Sequence, residues 1–399
     1  MATSPFKTDI GIIGGGGHVG LPLAMVFADA GFSTRIYDIN VSVVEKIQNG
    51  VMPFAEEGGE ELLKRVLASK KLTVHSTPDC LKDCRFLVLI IGTPVDEHLN
   101  PMFHAIHRAI DNCGDNFRDG QIVILRSTVF PGISEHIQTY LGRKGLDIRV
   151  AFCPERVAQG HSLREIRELP QIISAFDPDT LSEVRKLFGS LTADLVEMEP
   201  KEAELTKLMT NAWRYIQFAT INQFYMIATQ NHLDFNRILH GCRYKYPRMA
   251  GMPGPGLAAG PCLVKDTMQL ASFSHNNFIL GHAAMLINEG MPDHLIQMTL
   301  REGNLQDKTV AVLGMAFKAE SDDPRDSLSF KLKKLLVLQA KKVLCSDPYV
   351  KDEAFVPLDQ AVAEADVIFI GTPHTIYRQL TIPAGKQVVD IWNCVPAKN

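Results

Sequence analysis

Short, almost purely apolar runs recur through the first half of the chain: residues 9–13, STRIYDI from Ser33, FLVLIIG from Phe86, QIVILRS from Gln121, IRVAFCP from Ile148 and QIISAF from Gln171. Runs of this length, bounded by glycine, proline or polar residues, predict strands covered on both faces. Between them apolar residues return every three or four positions. In LPLAMVFADAG that spacing predicts a helix stopped by Gly31. Buried strands alternating with helices predict a mostly parallel, doubly wound α/β sheet.

From Lys201 to about Gly303 the texture changes. EAELTKLMTNAWRYIQFATINQFYMIATQN keeps helical spacing with no turn signal, which predicts one long helix linking two lobes. Strand runs resume at Lys308 in TVAVLGMAF, KKVLCSDPY, DVIFIGTP and QVVDIW, with helices expected from about Arg325 and Leu358. IFIGTP echoes LIIGTP and VLCSDP echoes RIYDI, so the second α/β region reads as another version of one supersecondary plan. The expected fold class is α/β, with two Rossmann-like doubly wound domains joined by a long central helix and a helical region.

The 399 residues exceed what one core usually supports, consistent with two or three domains. A net charge of −4 offers no basic face for nucleic acid. No basic-then-apolar leader opens the sequence and no apolar run is long enough for a membrane span, so a cytoplasmic protein is expected. The eight cysteines are scattered without zinc spacing, so reduced thiols and no structural metal are expected.

Chemistry enters with Gly15-Gly16-Gly17-His18-Val19-Gly20, a GxGxxG directly after a strand and opening a helix. There the first glycine permits a tight turn, the second lets backbone approach a pyrophosphate, and the third lets helix and strand pack closely. Asp38, at the end of the second strand, would accept hydrogen bonds from a ribose and repel a 2′-phosphate, which favours NAD over NADP. On the long helix Glu204, Lys207, Leu208 and Asn211 share one stripe, either a solvated face or a polar pair for a site. Glu155 follows a predicted strand, where open α/β sheets hold ligands, or is a surface glutamate. Cys262 follows the pliant GPGLAAGP and precedes Lys265, a setting that favours a thiolate. The plainer alternative is a buried small hydrophobe.

In order along nearly the whole chain, GGGGHVGLPLA, YDIN, IIGTPVD, RSTVFPG, PERVAQG, EAELTKLMTNAWRY, GPGLAAGPCLVKDT and GMAFKAESDDPRDS resemble the UDP-glucose/GDP-mannose dehydrogenase family. Members of that family oxidise the C6 alcohol of a nucleotide sugar to a carboxylate with two NAD. The resemblance implies an NAD-binding domain over 1–200, a central helical dimerisation domain with the cysteine loop over 201–303, and a UDP-binding domain over 304–399.

It implies that Cys262 is the nucleophile, that Lys207 and Asn211 stabilise the oxyanion, that Asp266 and Thr128 position water, and that Glu155 serves proton transfer or thioester hydrolysis. Gly15, Gly17, His18, Val19, Gly20, Asp38, Thr93, Thr128, Lys265 and Arg325 would contact NAD. Glu155, Lys207, Asn211, Gly254, Gly256, Phe317 and Lys318 would contact the nucleotide sugar, with Arg248 reaching it from a second subunit of a homodimer.

Two features depart from the family pattern. Ala258-Ala259-Gly260-Pro261 precedes Cys262 where many members read Gly-Gly-x, which makes a stiffer loop. Gln159 stands where many glucose-specific members carry a second glutamate, and it shifts the base role toward Glu155 or Asp266. The PER form resembles N-acetylhexosamine oxidisers more than glucose oxidisers. Two rivals remain: a two-electron hydroxyacid dehydrogenase, which explains neither the second α/β domain nor Cys262, and a non-catalytic NAD- or nucleotide-sugar-binding protein, in which Cys262, Lys207 or Asn211 would be lost.

Overall fold

The computed structural model describes residues 6–93, 96, 102 and 104–396. Pro94 and Val95, part of the IIGTPVD block, lie outside the described residues, as do the first five positions. Contacts gather the chain into two units, one up to Met209 and one from Thr210.

The first unit is built on eight strands: β1 Thr8–Ile13, β2 Thr34–Tyr37, β3 Leu72–His75, β4 Cys84–Leu89, β5 Ile122–Leu125, β6 Arg149–Phe152, β7 Gln171–Ala175 and β8 Leu195–Glu197. Their order is β3-β2-β1-β4-β5-β6-β7-β8, parallel except where β7 runs antiparallel to β6. Ile10 and Ile12 are fully buried. Each such side chain contributes roughly 1.5–3 kcal/mol on leaving water, which outweighs the modest propensity preferences of so short a strand. The sheet order reverses at β1 and β4, and that places a crevice at their carboxyl ends.

The second unit carries a parallel sheet of β9 Thr309–Leu313, β10 Lys342–Ser346, β11 Val367–Ile370 and β12 Gln387–Val389, in the order β10-β9-β11-β12. β9 is flanked by β10 and β11 as β1 is by β2 and β4, so the supersecondary plan is repeated.

One helix, Pro200–Gln230, runs along the chain from the first unit into the second. Proline opens it at a position where a missing N–H costs nothing. Leu208, Ala212, Tyr215, Ala219 and Ile221 are buried, whereas Met209, Trp213, Phe224 and Ile227 are exposed. A second long helix, Ile279–Glu302, continues through Pro292. An interior proline costs about 3 kcal/mol. Burial of Met291, Leu295 and Ile296, at roughly 1.5–3 kcal/mol each, offsets it. Among the described residues no helix is long and apolar enough to cross a membrane.

Candidate active site

In the first unit the glycine loop joins β1 to the helix Gly20–Asp29. A Cβ on Gly20 would lie 2.6 Å from the Cα of Gly15, so helix and strand meet here only because neither carries a side chain. A Cβ on Gly17 would meet nothing within 4 Å, which leaves its backbone open to an approaching group. No side chain caps the helix at Val19; the N–H of Leu21 is taken by the carbonyl of Gly17 and Pro22 has none, so the loop backbone and the positive end of the helix are what an anion would meet. His18 stacks on Phe54, their ring centroids 4.1 Å apart.

Asp38, just past β2, accepts the N–H of Gly16 at 2.8 Å on one oxygen and that of Asn40 at 2.9 Å on the other. Each carboxylate oxygen keeps a lone pair for a ribose hydroxyl. Turn, open backbone, uncapped helix and carboxylate together fit a dinucleotide whose pyrophosphate sits on the helix N-terminus.

The segments after β4 and β5 are tied together. Thr93 Oγ1 donates to the carbonyl of Thr128 at 2.7 Å, and Ser127 Oγ pairs with both the N–H and the carbonyl of Ile91 at 2.8 Å. Glu155, after β6, is buried, and its Oε2 accepts from Arg126 Nη2 at 2.5 Å. Its Oε1 accepts the N–H groups of Arg156 and Val157 at 2.7 and 3.1 Å. A surface glutamate is therefore excluded.

Glu204 is not on a solvated face either. It accepts from the N–H groups of Gly132 and Ser134 and from Ser134 Oγ, at the start of the helix Ile133–Arg143. Burial pushes its carboxyl above the usual range, against those hydrogen bonds. Lys207 lies three residues further along the same helix, half-buried.

In the second unit Cys262 is exposed and caps the helix Leu263–Phe273, where helical N–H groups favour negative charge. Asp266, on that helix's first turn, is fully buried. It accepts from Asn211 Nδ2 at 2.5 Å and pairs with Lys265 Nζ at 2.6 Å.

The loop before Cys262 is held from three sides. Asn222 pairs with the N–H and carbonyl of Gly256 at 2.9 and 3.0 Å. A Cβ on Gly256 would strike the Trp392 ring at 2.1 Å, and one on Gly260, at φ +106°, would strike the Phe317 ring at 2.6 Å. Gly254 lies in the same loop, half-buried.

Arg325 forks onto Asp323. Those hydrogen bonds raise its pKa, and the charge of Cys262 adds a smaller effect in the same direction. A cavity of about 670 Å³ opens beside the loop, lined among others by Ala259, Gly260, Val264, Tyr215 and Arg325. Lys318 is half-buried on the β9 loop, while Arg248 is exposed on a short turn against Tyr246.

The structure thus brings Cys262, Asn211, Lys265, Asp266, Phe317 and Arg325 into one neighbourhood of the second unit. The glycine loop, Asp38, Thr93, Thr128 and Glu155 lie in the first. Arg126 and Asn222 carry no signal in the sequence, because their partners are distant along the chain.

Three domain models of one family match this chain in order: the NAD binding domain over residues 8–192, the central domain over 201–289 and the UDP binding domain over 311–397. The chain belongs to the UDP-glucose/GDP-mannose dehydrogenase family, and it is an NAD-dependent nucleotide-sugar dehydrogenase.

A UDP-N-acetyl-D-mannosamine dehydrogenase of Pyrococcus horikoshii is 31% identical over 376 residues, covering 91% of this chain and 89% of its own. The solved structure of a UDP-D-ManNAc dehydrogenase from that organism matches with a TM-score of 0.91 at 29% identity, over 98% of this chain and 96% of the other. A UDP-glucose dehydrogenase from Pyrobaculum islandicum matches with a TM-score of 0.90 at 26% identity, over 98% and 95%.

Proposed function

We propose that this enzyme carries out the four-electron oxidation of the C6 alcohol of a UDP-N-acetylhexosamine, of the N-acetylmannosamine type, to the carboxylate. The observation that carries this reading is Cys262, an exposed thiol at a helix N-terminus with the bonded pair Asn211 and Asp266 beside it. The relative from Pyrococcus horikoshii and the PER form of the Glu155 loop support the N-acetylated substrate.

The chemistry that NAD supplies when bound is acceptance of a hydride, once in each oxidation. The alcohol loses a hydride and a proton to become an aldehyde, which has no second hydride to give until a nucleophile adds. Cys262 adds through its sulfur to form a thiohemiacetal. Loss of hydride and proton from that adduct leaves a thioester, and water releases the carboxylate and restores the thiol. Lys207 and Asn211 stabilise the oxyanions, Asp266 holds Asn211 in place, and Glu155 and Thr128 order the attacking water.

The division into an NAD domain over 1–200, a helical centre over 201–303 and a UDP domain over 304–399 belongs to the same reading. So does a homodimer in which Arg248 enters the partner's site. The exposed Trp213, Phe224 and Ile227 on the central helix support that dimer.

The test is Cys262→Ala and Cys262→Ser with UDP-N-acetylmannosamine and NAD. Both should stall after little NADH, because alanine offers no nucleophile and the serine hydroxyl forms its conjugate base far less readily than a thiol. Steady turnover to the acid by Cys262→Ala would remove the thiol from the reaction. Wild-type turnover confined to UDP-glucose or GDP-mannose would overturn the substrate.

A further inference from the structure

Arg126 is among the most deeply buried side chains of the protein, 1% exposed, and it directly follows β5. Its guanidinium reaches across the sheet. Nη1 donates to the carbonyl of Cys153 at 3.0 Å, and Nη2 donates to Glu155 Oε2 at 2.5 Å and to Gln171 Oε1 at 2.8 Å. The plane lies over Phe188, 4.9 Å from the ring centroid. Gln171 is itself anchored on the carbonyls of Ile166 and Leu169. The backbone joins in, since the N–H of Glu155 donates to the carbonyl of Arg126.

Burying such a pair costs several kcal/mol per ion, and an apolar pair of the same volume would be at least as stable. Its presence at the carboxyl ends of β5 and β6, where open α/β sheets hold ligands, calls for another reason. We infer that Arg126 is the positioning residue of Glu155: it fixes the carboxylate on the loop after β6, so that Glu155 serves as a hydrogen-bond acceptor at one set place throughout turnover.

This rests on the proposed part of Glu155 in the reaction. The other titratable groups facing the pair are Arg156, next in the chain, and Cys153 at the end of β6. The Cys153 thiol is pushed up to about 12 by burial, against the pull of Arg126. Neither changes charge near neutrality, so an acid limb that moves in Arg126→Gln but not when Glu155 is also replaced is assigned to Glu155 by the variants themselves.

The test uses the full chain. Arg126→Gln removes the charge while keeping hydrogen-bonding capacity, Arg126→Lys keeps the charge, and Glu155→Gln and the double variant Arg126→Gln/Glu155→Gln remove the carboxylate. A buried carboxylate without its countercharge takes up a proton at higher pH than a solvated one. The acid limb of the kcat profile of Arg126→Gln should therefore move up by about one pH unit or more. The limbs of Arg126→Lys and of the double variant should stay with wild type.

An independent readout is Tm against pH. In Arg126→Gln the native state binds the extra proton, so Tm should fall as pH rises through that window, and the double variant should lack this slope. Activity lost equally at every pH with no Tm slope, or a limb displaced as far in the double variant, would overturn the inference. Wild-type kcat in Glu155→Gln would overturn the part of Glu155 in the reaction and the positioning role with it. The Tm slope of Arg126→Gln would then still report the charge pair, so the two failures can be told apart.

Discussion

The two sheets solve the same local problem with opposite results. After β1, Gly14 turns with φ +74° against the carbonyl of Ile90, and after β9, Gly314 turns with φ +89° against that of Thr372. An aspartate ends the neighbouring strand in each case. Asp38 takes one N–H of the glycine loop and one of its own turn. Only six residues separate β1 from its helix, so the helix N-terminus itself stands at the end of the sheet.

Asp347, past β10, takes four: the N–H groups of Met315, Ala316, Tyr349 and Val350. His374, fully buried, accepts the N–H of Glu320 on Nδ1 at 3.1 Å, so its Nε2 carries the hydrogen that meets Asp347 Oδ2 at 3.1 Å. Burial alone would raise the Asp347 carboxyl, but these hydrogen bonds hold it at about 2. The backbone donors at this turn are thus satisfied from within. The fourteen residues from Gly314 to Ser327 carry Phe317, Lys318 and Arg325 instead. One sheet end leaves its glycine loop and a helix start exposed, while the other is covered by a longer loop that carries charged and aromatic side chains.

The largest effect that would break this contrast is on stability. Asp347→Ala leaves buried N–H groups and His374 without an acceptor, at about 1–3 kcal/mol for each unsatisfied group, and should unfold the second unit or lower its stability by several kcal/mol. Asp38 is only half-buried, and Asp38→Ala should cost about 1 kcal/mol, as loss of a cap does. Equal losses in a denaturant titration of the two variants would refute the distinction.

Asp38→Ala should instead reduce the preference of kcat/KM for NAD over NADP, an effect that Asp347→Asn should not share. A wild type preferring NADP would show that Asp38 does not contact the ribose. The smallest effect is in acid. The lowered carboxyl of Asp347 gives stability that is present above the unfolded value of about 3.9 and is lost as pH falls toward about 2. Stability of Asp347→Asn should vary less with pH across that window than wild type. An unchanged slope would mean that the hydrogen bonds do not hold Asp347 ionised.

What the sequence discloses follows from how local each cause is. β1, β4, β5, β6 and β7 are covered on both faces and stand out as apolar runs. β3 and β8 lie at the two edges of the sheet, expose Thr73 and Glu197, and carry no such signal. Pro292 is a helix-breaking residue, and only the core beneath it explains why the helix continues.

The glycine loop and Asp38 are legible because strand, turn and helix lie within a few residues of each, and Cys262 because a glycine-rich loop and a helix start meet at it. Arg126 looks like the polar end of a strand, since its partners Cys153, Glu155 and Gln171 arrive from β6 and β7. The echo of RIYDI in VLCSDP marks Asp347. Of the four N–H groups that hold it, those of Met315 and Ala316 come from a loop some thirty residues away, which the echo does not disclose.

In the proposed reaction one thiol permits two oxidations at one site. With UDP-N-acetylmannosamine limiting and NAD in excess, about two NADH should be released for each sugar consumed, with the uronic acid as product. A ratio near one, with an aldehyde or ketone accumulating, would contradict it.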